Sequence, residues 1–343
     1  MATLLKNNIK FLQVGLGSMG KRRIRNLLAL GIPSVHIVGF DLAAERRQEA
    51  EEKYQIRTVA DFSAGVATQP DAYIISTPPD HHAEYFLHAA RAKKHFFVEI
   101  PTSDEGYNEL YSLLDGSFVG APSCTYRFHP AVKKIKQIVE SGALGKIYLY
   151  NCHLGQYLPD WHPWEDYRSV FFAQKSTGGC REMMPYELNW QSYILQSWPV
   201  VAKGLTKKVS DLDMPADDVY SALVVFDNGA IGNVVIELLS RTPKRTLRLI
   251  GSLGTLEWEW QENYIRLFEA KNKSWQEINL AVGQKEQNYV VTEDMYIEEI
   301  EHFVAAITGN RLFPYTFADD HKLLRTLFAI ERNGQEPAAK VEQ

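Results

Sequence analysis

Gly15, Gly17 and Gly20 stand in the spacing G-x-G-x-x-G, as Gly15-Leu16-Gly17-Ser18-Met19-Gly20. That spacing suits a dinucleotide for three physical reasons. The first glycine permits a tight turn, the second lets the backbone approach a pyrophosphate, and the third lets a helix pack closely on a strand. With Ser18 and Met19 opening the helix, the pyrophosphate lies against backbone N–H groups that have no acceptor of their own. Asp41 follows roughly twenty residues on, where a carboxylate accepts hydrogen bonds from ribose hydroxyls and repels a 2′-phosphate. NAD(H) is therefore the cofactor expected, ahead of NADP(H) or a flavin. Arg46 and Arg47 nearby either soften that preference or simply face solvent. A glycine-rich turn with no ligand is the blander alternative. A second group of residues mixes Tyr157, Trp161, Trp164 and Tyr167 with Asp160, His162, Glu165 and Asp166. Aromatic faces stack on sugar rings while carboxylates bind hydroxyls, so this segment suits a carbohydrate; packing beneath a long loop or a subunit interface is the alternative.

The elements that must position these residues can be read from the pattern. Apolar runs at Ile9–Val14, Val35–Phe40, Ala72–Ser76, His95–Glu99 and Phe118–Ala121 alternate with amphipathic stretches at Ser18–Leu30, Ala43–Lys53 and His81–Ala92. Short apolar strands alternating with helices predict βαβ units and a parallel sheet, with Glu99 at a strand end where ligands of open α/β sheets bind. His81 and His82 open a helix, where a polar side chain can cap backbone amides near the dinucleotide. The pattern then changes. A helix over Pro130–Ser141 leads to a strand over Lys146–His153, and a helix follows near Glu187–Gln196. Strand-like runs fill Val200–Phe268, with Asp227-Asn228-Gly229 as a hairpin turn that needs positive φ. Helices near Val290–Thr308 and Ala318–Arg332 close the chain. The expectation is an α/β Rossmann domain over residues 1–123 and an α+β domain with a large, mainly antiparallel open sheet over 124–343.

Composition excludes several other classes. Of 343 residues 45% are hydrophobic and 23% charged, ordinary values for a globular chain. A net charge of −5 and a pI near 6.1 give no electrostatic reason to bind nucleic acid or an anionic membrane. No apolar stretch marks a leader at Met1–Lys10, and no window is apolar enough to span a bilayer. Cys124, Cys152 and Cys180 are odd in number and widely spaced, which points to structural thiols, no metal site and a cytoplasmic location.

Several segments together resemble the glucose–fructose oxidoreductase and inositol dehydrogenase (Gfo/Idh/MocA) family. Besides the glycine fingerprint these are Ser76-Thr77-Pro78-Pro79-Asp80-His81-His82, Val98-Glu99-Ile100-Pro101, Tyr126-Arg127-Phe128-His129-Pro130 and Ser141-Gly142-Ala143-Leu144-Gly145-Lys146. Gly251-Ser252-Leu253-Gly254-Thr255-Leu256 adds a late turn, and Leu158–Arg168 is similar to a subgroup acting on sugars and nucleotide sugars. The resemblance runs over roughly residues 8–335 in the family's order. It implies NAD(H)-dependent hydride transfer at a sugar carbon, and a homodimer or homotetramer built through the open sheet. It places Thr77, Pro78, Pro79, His82 and Glu99 beside the cofactor and Arg127, His129, Trp164 and Tyr167 with the substrate.

The same resemblance exposes a departure. Hydride transfer from an alcohol needs a proton acceptor beside the oxygen, and the family uses the lysine of Glu-Lys-Pro and a downstream histidine. Here Ile100 holds the lysine position. In Thr177–Trp190, aligned to a Ser-His-Glu-x-Asp pattern, Tyr186 replaces the histidine and Asn189 the aspartate, while Glu187 is kept. Three readings follow. Tyr186 carries the proton with help from a cation such as Arg181, Arg127 or Lys175, with Lys175, Glu187 and His129 as lesser candidates for the carrier itself. Alternatively a transient oxidation enables elimination or epimerisation. The third reading is a catalytically silent member that binds NAD(H) with a sugar-like ligand or a protein partner.

Overall fold

The computed structural model describes residues 8–161, 163, 165–280 and 293–335. The described residues fall into two compact units, those within Met1–Phe128 and Gly283–Asp320, and those within His129–Val282 and His321–Gln343.

The first unit is built on a six-stranded parallel sheet in the order β3-β2-β1-β4-β5-β6. Its strands are β1 (Phe11–Val14), β2 (Ile37–Phe40), β3 (Arg57–Val59), β4 (Ala72–Ile75), β5 (His95–Val98) and β6 (Gly120–Pro122). Between them run α1 (Ser18–Ala29), α2 (Ala44–Tyr54), α3 (Phe62–Val66), α4 (His82–Arg91) and α5 (Tyr107–Leu113). Strands β1 and β4 are buried at every position, as a parallel sheet covered on both faces requires. Order reverses between β1 and β4, the switch point at which open α/β sheets bind ligands. The pattern had not marked β3, a three-residue strand whose side chains are exposed or half-buried.

A single boundary between residues 123 and 124 does not describe this unit. The chain returns to it, and α8 (Asp294–Ile307) places Ile300, Phe303 and Val304 in one core with Phe11, Ile37 and Phe97. A helix that joins a core formed far earlier in the chain leaves no local trace of which core it joins.

The second unit carries an eight-stranded sheet in the order β14-β13-β12-β11-β7-β10-β9-β8. Its strands are β7 (Ile147–Gly155), β8 (Pro199–Lys207), β9 (Val219–Phe226), β10 (Ile231–Glu237), β11 (Lys244–Gly251), β12 (Gly254–Glu259), β13 (Tyr264–Glu269) and β14 (Ser274–Asn279). Among the described residues of this sheet only β7 and β10 pair in parallel. The expected hairpin joins β9 to β10, with Gly229 at φ +86°. Two helices of this unit are α6 (Pro130–Glu140) and α7 (Gly179–Leu195). Helix α7 begins well before the expected Glu187 and holds Pro185 inside it. Burial of Gly179, Cys180 and Met184 on the same helix offsets what an interior proline costs. Helix α9 spans Phe317–Gln335.

Candidate functional site

Every cofactor segment read from the sequence leaves the carboxyl end of a strand in the first unit. Gly15 follows β1, Asp41 follows β2, Ser76 and Thr77 follow β4, and Glu99 follows β5. Gly15 turns at φ +85°, and a Cβ there would lie 2.6 Å from the Ser76 carbonyl oxygen. A Cβ on Gly20 would lie 1.9 Å from the Gly15 oxygen, so the third glycine is required by helix–strand packing. Buried Gln13 braces the turn, its Nε2 donating to the Gly15 carbonyl and to Ser76 Oγ, both at 3.1 Å.

Gly17 differs from its neighbours. It caps α1 at φ −67° with no side-chain cap, and a Cβ there would meet nothing among the described residues within 4 Å. The protein itself therefore has no need of glycine at this position, and the open space before an uncapped helix end with Ser18 and Met19 in its first turn suits a pyrophosphate. Asp41 stands beside it: Leu16 N–H donates to Oδ2 at 2.8 Å and Ala43 N–H to Oδ1 at 2.9 Å. Thr77 Oγ1 is buried with no hydrogen-bond partner among the described residues, and a ligand hydroxyl or amide would satisfy it. The residues present thus fit a dinucleotide.

Other expected cofactor residues have structural duties. His81 makes no capping bond, which corrects that reading; instead His82 Nε2 lies 2.9 Å from the Thr77 carbonyl. Burial pushes the His82 pKa down to about 4, so the ring is neutral at physiological pH and Nε2–H donates to that carbonyl. Pro79 is buried and Pro78 exposed. Glu99 belongs to an ionic cluster that sequence reading missed. Arg23, fully buried, donates to both Glu99 oxygens at 2.6 and 3.0 Å and lies 2.8 Å from Glu299. Glu299 in turn accepts from Thr125 Oγ1 and Cys124 N–H, each at 2.6 Å. Burial alone would lower the Arg23 pKa, but Glu99 and Glu299 raise it. Arg127, an expected substrate residue, is buried in this unit, donating to the Pro314 carbonyl at 3.1 Å with its guanidinium 4.5 Å from the Tyr315 ring centre.

In the second unit the candidates for proton transfer separate clearly. Glu187 is fully buried. Its Oε1 accepts from Arg245 Nε at 3.0 Å and pairs with Nη2 at 2.8 Å, while Oε2 accepts from Trp190 Nε1 at 3.0 Å and Cys152 Sγ at 3.6 Å. A carboxylate so engaged and so remote from water is a structural anion. His129 caps α6, its Nδ1 accepting from Ala131 N–H at 3.2 Å. Burial, then Arg245 and Lys133, push its pKa down to about 3. Lys175 is exposed in the turn before α7, and Arg181 pairs with Glu331 at 2.8 Å. Tyr186 is half-buried on α7, with the Arg245 guanidinium 5.8 Å from its ring centre. Arg245 therefore stands beside both Tyr186 and Glu187, although the sequence presents it only as one charge in a strand.

Within the aromatic segment, Trp164 and His162 lie outside the described residues. Tyr167 accepts from Asp213 N–H at 3.0 Å through its hydroxyl. Trp161 donates to the Gln156 carbonyl at 3.3 Å and meets Phe172 edge-on at 4.9 Å, and Tyr157 lies 3.5 Å beneath the Arg241 guanidinium.

No helix among the described residues is long and apolar enough to cross a membrane, and no group of three or more potential metal ligands occurs among them. Residues 9–116 match the model of an oxidoreductase family with an NAD-binding Rossmann fold, and residues 132–257 match the GFO/IDH/MocA C-terminal domain. An uncharacterized oxidoreductase of Bacillus subtilis (strain 168), YrbE, is 28% identical over 228 residues, 64% of this chain and 64% of its own. The myo-inositol 2-dehydrogenase of Thermotoga maritima is 27% identical over 231 residues, 64% of this chain and 65% of its own. The chain thus spans just under two thirds of the length of these curated relatives. Among solved structures, levoglucosan dehydrogenase in complex with NADH and levoglucosan superposes with a TM-score of 0.80 at 19% identity, over 95% of this chain and 97% of that one. That likeness carries the fold.

Proposed function

The chain belongs to the GFO/IDH/MocA oxidoreductase family, with its NAD-binding Rossmann fold, and from that premise we propose that it is an NAD(H)-dependent oxidoreductase acting on a sugar or nucleotide sugar. The observation that carries the cofactor assignment is Gly17: open space before an uncapped helix end, with the Asp41 carboxylate beside it. Dinucleotide bound there supplies a hydride acceptor or donor. Gly17 and the first turn of α1 would hold the pyrophosphate, Asp41 would bind the adenosine ribose and Thr77 would offer its hydroxyl. The sugar class is supported by the names of the relatives, a myo-inositol dehydrogenase and a levoglucosan dehydrogenase.

Proton transfer is assigned to Tyr186. Ile100 at the family's lysine position has no proton to exchange, Glu187 is held by Arg245, and His129 is held as a helix cap. Tyr186 retains a half-buried hydroxyl-bearing ring near a fixed cation. Trp164 and Tyr167 remain proposed sugar contacts and Arg127 a proposed anion anchor. Exposed Val201, Leu205, Leu223 and Ile231, which pairing register places on one face of β8, β9 and β10, support association of two or four copies through that face.

Tyr186→Phe tests the relay because it removes one oxygen and keeps the ring. Loss of a general acid–base lowers kcat by about 10²–10⁴-fold, with KM and NADH affinity little changed. An unchanged kcat would assign the proton elsewhere. Ile100 favours a second reading, a binding protein without turnover, and wild-type protein that binds NADH and sugar but never exchanges hydride would support it.

A further inference from the structure

We propose that Arg46 makes the adenosine end of this site accept a 2′-phosphate, so that the chain binds NADP(H) alongside NAD(H). The inference rests on the assignment of that site to a dinucleotide and concerns the choice between two cofactors. An isolated carboxylate at the end of β2 discriminates against a 2′-phosphate by repelling it and by offering it no donor. Asp41 is not isolated in either sense. Both of its oxygens already accept backbone N–H groups, from Leu16 and Ala43. An Arg46 Nη1 stands 3.7 Å from Oδ2, within ion-pair range and beyond a hydrogen bond.

The two neighbouring arginines are not equivalent. Arg47 Nη1 donates to the carbonyls of Asp41 and Leu42, both at 2.8 Å, and is occupied in holding the turn between β2 and α2. Among the described residues Arg46 makes only the longer contact to the carboxylate, and its side chain is 51% exposed against 8% for Asp41. A ribose hydroxyl that reaches Asp41 brings its 2′-substituent beside this guanidinium. Two consequences follow. The positive charge offsets the carboxylate's repulsion, and the planar fork of donors can turn from a single long contact to a phosphate without breaking a short bond. Asp41 still rewards a free hydroxyl, so NAD(H) stays the tighter ligand, and Arg46 sets how far NADP(H) lags behind it.

The test is equilibrium binding of NADH and of NADPH, each titrated into the full-length protein by tryptophan quenching, for wild type, Arg46→Ala and Arg46→Lys. The quantity read is the ratio of the two dissociation constants. Removing the guanidinium should worsen NADPH relative to NADH by about ten-fold, equivalent to about 1.4 kcal/mol, and Arg46→Lys should restore most of it. Added salt should weaken NADPH more than NADH in wild type, and this difference should shrink in Arg46→Ala. If wild type binds NADH but no NADPH, or if the ratio does not move in Arg46→Ala, the inference fails while the cofactor site stands. If wild type binds neither, the cofactor assignment fails and the inference with it.

Discussion

Gly17→Ala separates what the protein needs from what its ligand needs. The backbone at Gly17 has φ −67°, open to any residue, and the added methyl would touch no atom of the described residues within 4 Å. Restricting the unfolded chain stabilises by ~0.4–1 kcal/mol, and replacing glycine by alanine at a helix cap costs a comparable ~0.5–1 kcal/mol. The net change in stability is therefore close to zero, and Tm should stay within about 4 °C of wild type. On the proposed placement the ligand has no such latitude, because the methyl would stand where the pyrophosphate approaches the backbone. Losing one or two hydrogen bonds to a charged group, at ~1.5–3 kcal/mol each, raises the NADH dissociation constant by about 10- to 1,000-fold or more. Gly15→Ala is the contrast: at φ +85° with a Cβ 2.6 Å from the Ser76 oxygen it should lower Tm sharply. Thermal melts without ligand and NADH titrations of both variants give the two readouts. A Gly17→Ala protein that binds NADH like wild type would refute the placement of the pyrophosphate. One that melts like Gly15→Ala would refute the claim that the space is open.

The ion pair of Arg245 and Glu187 should behave as a buried structural pair. Arg245→Met leaves the Glu187 charge buried without its cation and should cost ~3–5 kcal/mol in urea unfolding, whereas Glu187→Leu with Arg245→Met should recover much of it; a single variant as stable as wild type would contradict the pairing. Asp320 gives a pH signature. Burial raises its pKa to about 7, while the Tyr107 and Tyr315 hydroxyls donate to it at 2.6 and 3.0 Å. The folded pKa lies above the unfolded value of about 3.9, so its contribution is complete below about pH 4 and is lost as pH rises through about 7. Between about pH 5 and about pH 8 wild type should lose roughly 2–3 kcal/mol more stability than Asp320→Asn, and parallel pH profiles would show that Asp320 does not titrate in this way.

The first unit was legible because its chemistry and its periodicity are local. The glycine fingerprint, Asp41 and the strand ends at Ser76 and Glu99 are each set by a few adjacent residues, and the parallel sheet brings them to one edge. What escaped is long-range. Arg23 meets Glu99 across 76 residues, and Arg245 meets Glu187 across 58. Neither partner carries a local mark that distinguishes a buried ion pair from a surface charge. The early turns of α7 escaped because Pro185 reads as a helix breaker, a local rule that burial of the preceding residues overrides. Glu187 and His129 were marked by residue type, yet their hydrogen bonds, which no spacing encodes, make them a buried anion and a helix cap.

The central claim is that this chain moves hydride between a sugar and NAD(H). It is tested most directly by mixing wild-type protein with NAD⁺ and a panel of free and nucleotide-linked sugars and following the near-ultraviolet absorbance of reduced nicotinamide. The account predicts that at least one sugar yields NADH catalytically, and that Tyr186→Phe abolishes most of that rate while still binding cofactor. Wild-type protein that binds NADH and a sugar from the same panel, yet forms no NADH with it and consumes none with the corresponding ketone, would contradict it.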